Sequence, residues 1–202
     1  MKKSVMSICI GFLLAVSLVC SAGKTSHAIS EGVIRLHIRA NSNTPEDQEL
    51  KLKVRDRILK EAEKMAQDTH STEEAEEVIV KNLAFLEDTA QDEIQKNGYN
   101  YTIDADFGKS KFPLKTYGDL TLPAGTYKAL TIDIGEGKGE NWWCVMFPPL
   151  CFTKEAFAKT DPVSDEILAE NLGSDNYDML KNENIQIKFK IYEIISNIFN
   201  NF

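Results

Sequence analysis

A chain of 202 residues with a formal net charge of −8 is long enough for one domain of ordinary size and is too acidic to be expected to bind nucleic acid. It contains three histidines and four cysteines, and no Cys/His cluster among them has the spacing of a zinc site. We therefore predict no metal, no cofactor and no nucleic-acid partner.

The N-terminal 28 residues have the three-part pattern of a secretory signal peptide. Two lysines precede an apolar run, Val5–Cys20, and small residues follow, so that cleavage after Ala22 or Ala28 fits the pattern. The apolar run of about 16 residues is shorter than the roughly 20 residues of a spanning helix, and an uncleaved anchor is the alternative. We expect residues 29–202 to be exported as one domain, with 153–202 as a less regular helical tail.

The first predicted strand follows this segment. In Val33–Ala40 the apolar residues alternate strictly with Arg35, His37 and Arg39, so the two sets point to opposite faces. The basic face is solvated, or its arginines cover the neighbouring helices, or it contacts an anion or carboxylate, which guanidinium groups bind well.

Two long amphipathic helices are predicted next. Thr44 is a natural N-cap and Pro45 fits the first helical position, which predicts a helix that continues to about Gln67. A capping box at Ser71 begins a second helix, which is expected to stop at Gly98. Both present one apolar face.

A group of strands is predicted after the helices. Tyr99–Phe107 alternates and reads as a strand, and Gly108–Thr116 reads as a basic loop. Leu120–Leu122 and Thr126–Ile134 flank a turn and are expected to form a hairpin. The chain is therefore predicted to be a single α+β domain, with an antiparallel sheet packed against the two long helices.

Gly135–Phe152 is the most distinctive segment of the chain. Three alternating glycines predict a mobile hairpin loop, and Trp142–Phe147 reads as a short strand that ends at two prolines. Because Trp142 and Trp143 point to opposite faces of a strand, we expect one in the core and the other exposed.

Cys144 and Cys151 are the two cysteines that remain after removal of the signal segment. They are either two buried thiols or a disulfide, and export favours the disulfide.

Catalytic patterns are weak in this sequence. The glycine-rich segment lacks the Ser or Thr after the lysine that a phosphate loop needs, and no nucleophile elbow is present. We predict no catalytic residue. Two classes of function remain: an exported interaction protein that signals, and, as the alternative, an exported hydrolase that uses a carboxylate pair.

Seven segments together resemble the stage II sporulation protein R family of endospore-forming bacteria. They are Arg35–Ser42, Pro45–Gln48, Leu50–Asp56, Phe112-Pro113, Tyr117-Gly118, Leu122–Gly125 and, most specifically, Gly135–Phe152. The resemblance covers about residues 33 to 152.

The resemblance implies a protein made in the forespore and secreted into the space between the forespore and mother-cell membranes. There it would activate a membrane-embedded aspartic protease of the mother cell, from the extracytoplasmic side, and the protease would process the mother-cell sigma-factor precursor. The protein itself would be a signal and not an enzyme, without a small-molecule substrate.

The residues that contact the receptor are our own inference from the sequence. Aromatic side chains dominate the energetics of many interfaces, and glycine loops leave their backbone accessible. The predicted contacts are Trp142, Trp143, Gly135, Gly137, Lys138 and Gly139, with Arg35, His37 and Arg39 as the weaker set.

Overall fold

A computed structural model gives the structure of residues 25–150 and 162–181. The predicted signal segment lies outside these ranges up to residue 24, whereas Ala28 falls in a helical segment at residues 25–31. The predicted tail is described only between 162 and 181. The α+β class is confirmed.

After the helical segment at residues 25–31, the elements follow one another as a strand, three helices, five strands and two further helices. The strands are β1 (Ile34–Arg39), β2 (Ile103–Phe112), β3 (Lys115–Tyr117), β4 (Leu120–Leu122), β5 (Gly125–Ile134) and β6 (Asn141–Phe147). The helices are α1 (Pro45–Ala66), α2 (Thr72–Lys81), α3 (Leu83–Lys96), α4 (Pro162–Leu172) and α5 (Ser174–Leu180). Within the described residues, no helix combines the length and the apolarity needed to cross a membrane.

The main sheet is mixed, in the order β2-β5-β1-β6. β1 runs parallel to β5, and the other two pairs are antiparallel. A parallel pair requires a long connection, which here consists of the three helices followed by β2, β3 and β4. The sheet therefore differs from the wholly antiparallel one that the sequence predicts.

The hairpins predicted from the sequence are wrong. β4 pairs with β3 in a separate two-stranded sheet, and β5 pairs with β2 over its whole length. The predicted basic loop at 108–116 is mostly strand, because β2 continues to Phe112 opposite Gly125. β5 and β6 are also not neighbours, because β1 lies between them.

The helices begin where their capping residues predict. The side chain of Thr44 accepts a hydrogen bond from the Asp47 N–H at the start of α1, and Ser71 accepts one from the Glu74 N–H at the start of α2. The predicted second helix is divided at Asn82, whose side chain donates to the Val78 carbonyl at 2.8 Å. Such a bond to the local backbone competes with continuation of the helix.

The sheet has a buried core on each face. Ile34, Leu36 and Ile38 of β1 face the core formed with α1, α2 and α3. The opposite face carries a second core, to which β3, β4, α4 and α5 contribute. Arg35 and His37, on the basic face of β1, therefore lie beneath a covering layer of protein, whereas Arg39 is partly exposed.

Candidate functional site

The glycine loop, defined as residues 135–140, is bound along its length to the turn at residues 40–43. Four loop N–H groups donate to this turn: Glu136 to Asn41 Oδ1 (3.0 Å), Lys138 to Asn41 O (3.2 Å), Gly139 to Ala40 O (2.8 Å) and Glu140 to Asn43 Oδ1 (2.7 Å). The turn connects β1 to α1, so the loop fixes the point at which α1 leaves the sheet.

Two of the glycines, Gly135 and Gly139, are needed because a side chain there would overlap the turn. A Cβ placed on Gly139 would overlap the carbonyl group of Ser42. Gly135 has a φ of +59°, and a Cβ there would overlap the side chain of Asn41. The N–H groups of Gly135 and Gly137 are also bonded, to Thr102 O and Ile134 O. The backbone N–H groups of the loop are therefore bonded within the chain, and the prediction that the loop backbone is accessible is wrong for these groups.

Three charged side chains of the loop, those of Glu136, Lys138 and Glu140, remain at the surface. Glu136 is 69% exposed and Lys138 is 75% exposed, and their charged groups lie 2.9 Å apart. An ion pair this exposed contributes little to stability. These three exposed side chains are the parts of the loop most accessible to a partner, whereas the glycines are half-buried.

Arg35 is fully buried and belongs to the core. Its Nε donates to the Cys144 carbonyl at 2.8 Å, and one terminal nitrogen donates to the Tyr117 hydroxyl at 2.7 Å. Its guanidinium carbon lies 4.4 Å from the ring centre of Phe112 and 4.9 Å from that of Tyr127. The interpretation of a solvated basic face is wrong for this residue, and a receptor cannot reach it on the folded surface.

The other two basic residues of β1 also have partners within the chain. His37 is 6% exposed and stacks on Trp143 with 3.8 Å between ring centres, and its Nε2 lies 2.7 Å from Asn141 Oδ1. Burial is the main cause that lowers the pKa of His37 below 6.5. Arg39 forms an ion pair with Asp133, whose hydrogen bond raises the pKa of the guanidinium.

The two tryptophans face opposite sides of β6, but both are half-buried. Trp142 packs towards the helices and carries the Arg55 guanidinium 4.2 Å from its ring centre. Trp143 packs between His37 and Phe112 on the other face. The expected contrast between one buried and one exposed ring is absent, because each ring is partly covered by the core residues on its own face of β6.

Both tryptophans line a cleft of about 460 Å³, which we call the edge cleft. Residues 140–143 form its floor. One wall consists of Gln48, Lys51 and Leu52 of α1, and the other wall is β3, which begins at Lys115. Sequence reasoning missed Lys51 and Lys115. A signal for Lys51 existed, since it lies four residues after Asp47 and three before Val54, on the buried side of α1.

Carboxylates and metal ligands give no support to a catalytic centre. Asp104 lies opposite Asp133 across β2 and β5, but Asp133 is bound to Arg39. In residues 25–150 and 162–181, no group of three or more His, Cys, Asp or Glu side chains is placed to hold a metal ion. Cys144 is 2% exposed in β6, and Cys151 lies outside the described residues.

Comparisons with known proteins identify the family. Residues 30–156 match the family model of stage II sporulation protein R, a range that includes β1 to β6, the glycine loop and the edge cleft. The chain is 36% identical to Stage II sporulation protein R of Bacillus subtilis (strain 168), over 98% of this chain and 100% of that protein. No solved structure matches the chain. The chain therefore belongs to the stage II sporulation protein R family and has a role in sporulation.

Proposed function

We propose that this protein is an exported sporulation signal. In this account the forespore secretes it into the space between the forespore and mother-cell membranes. There it binds a membrane-embedded aspartic protease of the mother cell, which then processes the sigma-factor precursor. Family membership and the three-part signal pattern of the N-terminal 28 residues support the proposal.

The observation that carries the proposal is the meeting of two segments in one surface. Arg35–Ser42 and Gly135–Phe152, which are far apart in the chain, are joined by the hydrogen bonds between the glycine loop and the turn. Close packing explains the glycines and asparagines of these segments. It does not explain two neighbouring tryptophans left half-buried at a cleft, where aromatic side chains commonly anchor a partner.

The proposed contact surface consists of the edge cleft and the outer side of the glycine loop. Trp142 and Trp143 supply the apolar contacts, and Glu136 and Lys138 supply exposed charges beside them. The loop glycines position this surface without having to contact the receptor themselves. The His37 ring stacks against the Trp143 ring and restrains its position.

Activation by such a surface requires a difference in affinity. A signal that bound the active and inactive states of the protease equally well would shift nothing, however tight the binding. The surface must therefore fit a receptor conformation that is rarely populated without the signal. No catalytic group of this protein takes part in the account.

A disulfide between Cys144 and Cys151 is part of the proposal. Its support is that Cys144 is disulfide-bonded, together with the expected export of the chain. Such a bond would link β6 to the segment that follows Pro149 and would restrain the far end of the strand that carries the tryptophans.

Complementation of a deletion strain tests the proposed function. The full chain, expressed in the forespore, should restore processing of the sigma-factor precursor. A version that lacks residues 1–28 should accumulate inside the forespore and fail to restore it. Normal processing in the deletion strain, or restoration by the version that is not exported, would contradict the proposal.

The carboxylate alternative is tested in the same strain. Asp104→Asn and Asp133→Asn should each retain signalling, whereas loss of a catalytic carboxylate typically costs a factor of roughly 100 or more. One such variant that is folded, secreted and bound to its receptor but inactive would favour the hydrolase.

A further inference from the structure

β2 is the edge strand at the opposite side of the main sheet from β6. It is ten residues long and pairs with β5 without interruption. The Gly135 N–H donates to the Thr102 carbonyl on the β5 side, and the Ile103 N–H donates outwards to Gln91 Oε1 of α3 at 3.1 Å. Because backbone groups alternate in direction along a strand, the next residues whose N–H and C=O groups point away from the sheet are Ala105, Phe107, Lys109 and Lys111.

These outward backbone groups are available to a further strand. In residues 25–150 and 162–181, no hydrogen bond reaches the outward groups of residues 105–111. β2 also contains no proline and no register shift that would interrupt pairing. A row of such groups at a sheet edge is a template for an extended segment of another chain.

Lys109 lies beside a charge of its own sign. It is directly opposite Lys128 of β5, and Lys128 already binds Glu76 at 2.7 Å and Glu31 at 3.8 Å. Lys109 is exposed, and none of the ion pairs between described residues includes it. Like charges directly opposite each other destabilise a sheet. A carboxylate opposite Lys109 on an added strand would offset this repulsion.

Asp104 repeats the arrangement with the opposite sign. It is directly opposite Asp133 of β5, and Asp133 forms an ion pair with Arg39, which lies one strand further away on β1. The Asp104 side chain is exposed. A basic side chain opposite Asp104 would offset the repulsion between the two aspartates. Because successive side chains alternate between the faces of a strand, Asp104 and Lys109 lie on opposite faces of the sheet.

The edge between these two charges is apolar on the side of the helices. Ala105 and Phe107 are half-buried and pack against the core formed with α1, α2 and α3. On α3, which packs against β2, Phe85 is 48% exposed. Apolar side chains of an added strand, opposite Ala105 and Phe107, would extend this core.

A second copy of the chain does not match these charges. Two β2 strands related by a two-fold axis are antiparallel, and residues with outward backbone groups then lie opposite each other. Odd-numbered residues of one copy therefore face odd-numbered residues of the other, so neither Lys109 nor Lys111 lies opposite Asp104 or Asp106. The charge pattern favours a different protein.

We propose that the outer edge of β2 binds an extended segment of a partner protein as an added antiparallel strand, with a carboxylate opposite Lys109, a basic side chain opposite Asp104 and apolar side chains between them. The antiparallel direction is favoured because such pairs are slightly more stable per residue. The segment then carries Asp or Glu on the N-terminal side of Lys or Arg. Since β2 and β6 are opposite edges of the sheet, this partner is a second one, in addition to the protease of the proposed function.

Two short synthetic peptides test the proposal. The matched peptide has Val opposite Phe107 and Ala105, Glu opposite Lys109, Lys opposite Asp104 and Thr elsewhere, and the swapped peptide exchanges its Glu and Lys. We expect the matched peptide to bind the secreted protein about 10-fold more tightly, because each charged pair changes from unfavourable to favourable. By NMR, it should slow hydrogen exchange at the amides of residues 105, 107, 109 and 111. The amides of residues 106, 108 and 110 face β5 and are the internal control.

Charge reversal assigns the preference to the two side chains. The double variant Asp104→Lys/Lys109→Glu should bind the swapped peptide about 10-fold more tightly than the matched one, and Lys109→Glu alone should bind both about equally. The double variant should fold, because each new charge lies opposite a charge of the other sign in β5. The matched control is Lys60→Glu/Asp68→Lys, which reverses two exposed charges near the end of α1 and should keep the wild-type preference.

Several results would overturn the proposal. They are absence of binding by both peptides, equal binding of both to the wild-type protein, unchanged exchange at the outward amides, and a wild-type preference that survives in either folded variant. Slow exchange at these amides without peptide, increasing with protein concentration, would assign the edge to a second copy and would also overturn it. Precursor processing in the deletion strain is a separate readout, so the proposed function is judged independently.

Discussion

The side-chain oxygen of Asn43 accepts a 2.7 Å hydrogen bond from the backbone N–H of Glu140, which lies 97 residues further along the chain. Asn43 lies just before α1, and Glu140 lies just before β6. The bond therefore fixes the start of α1, which forms one wall of the edge cleft, relative to the start of β6, which forms its floor. The contact that explains the glycine loop thus also determines the shape of the proposed receptor surface.

The close approach at Gly139 gives the first prediction. Gly139→Ala places a methyl group against the backbone of Ser42, which cannot move without breaking the bonds between loop and turn. We expect a loss of roughly 1–3 kcal/mol in the free energy of unfolding, as for other overpacked sites. Urea unfolding of the secreted protein measures it.

Gly108→Ala in β2 is the matched control for this substitution. The nearest atom to the new methyl group would be a carboxylate oxygen of Asp106, at 3.3 Å on a flexible side chain. A change of about 0.5 kcal/mol or less is expected. Equal effects at the two glycines would mean that the loop does not depend on close approach to the turn.

Arg35 and Arg39 should differ strongly although they lie on the same strand. Arg35→Met leaves the Cys144 carbonyl and the Tyr117 hydroxyl without their buried donor, at a cost of at least about 2 kcal/mol. The Arg39 side chain is 40% exposed, and Arg39→Met should cost about 1 kcal/mol or less. Thermal melts of both variants test this, and a larger effect at Arg39 would contradict the burial of Arg35.

His37 should make stability fall in mild acid. Its pKa is lowered in the native state, mainly by burial, so the unfolded chain binds a proton more readily than the native chain does. The contribution of neutral His37 is fully present above pH 6.5 and is lost as the pH falls from 6.5 towards the lowered value. The melting temperature should therefore decrease from pH 7.5 to 5.5.

Two variants assign this pH dependence to His37. His37→Phe keeps an aromatic ring against Trp143 and should flatten the dependence. His70→Gln, at an exposed histidine, should leave it unchanged. A dependence that survives in His37→Phe would have to arise from other groups.

The state of the cysteines is measured by alkylation without reduction. Mass spectrometry of the secreted protein should show neither Cys144 nor Cys151 labelled, and both labelled after a reductant is added. Two labelled thiols without reductant would remove the disulfide from the account.

Local signals in the sequence predicted local structure well. The caps at Thr44 and Ser71 and the alternation of β1 give elements that the structure confirms. These features depend on neighbours within a few residues, which hydrophobic periodicity and capping patterns describe directly.

Pairings between distant segments could not be predicted in this way. The sequence pattern predicts hairpins between strands that are adjacent in the chain, but β1 takes the place between β5 and β6, and nothing within a strand encodes that insertion. The same difficulty hid the role of Arg35, whose partners on β3, β5 and β6 lie far along the chain. The alternating glycines predict a mobile loop, whereas Gly135 and Gly139 allow close approach to the turn at residues 40–43.

Site-specific photo-crosslinking tests the central claim that this surface contacts the protease. A photo-reactive amino acid replaces Lys138 on the glycine loop, or Phe85, which is 48% exposed on α3 where that helix packs against β2 at the other edge of the sheet. With both variants still supporting precursor processing, the account predicts that the probe at 138 captures the protease and the probe at 85 does not. Capture from position 85 with none from position 138 would contradict it.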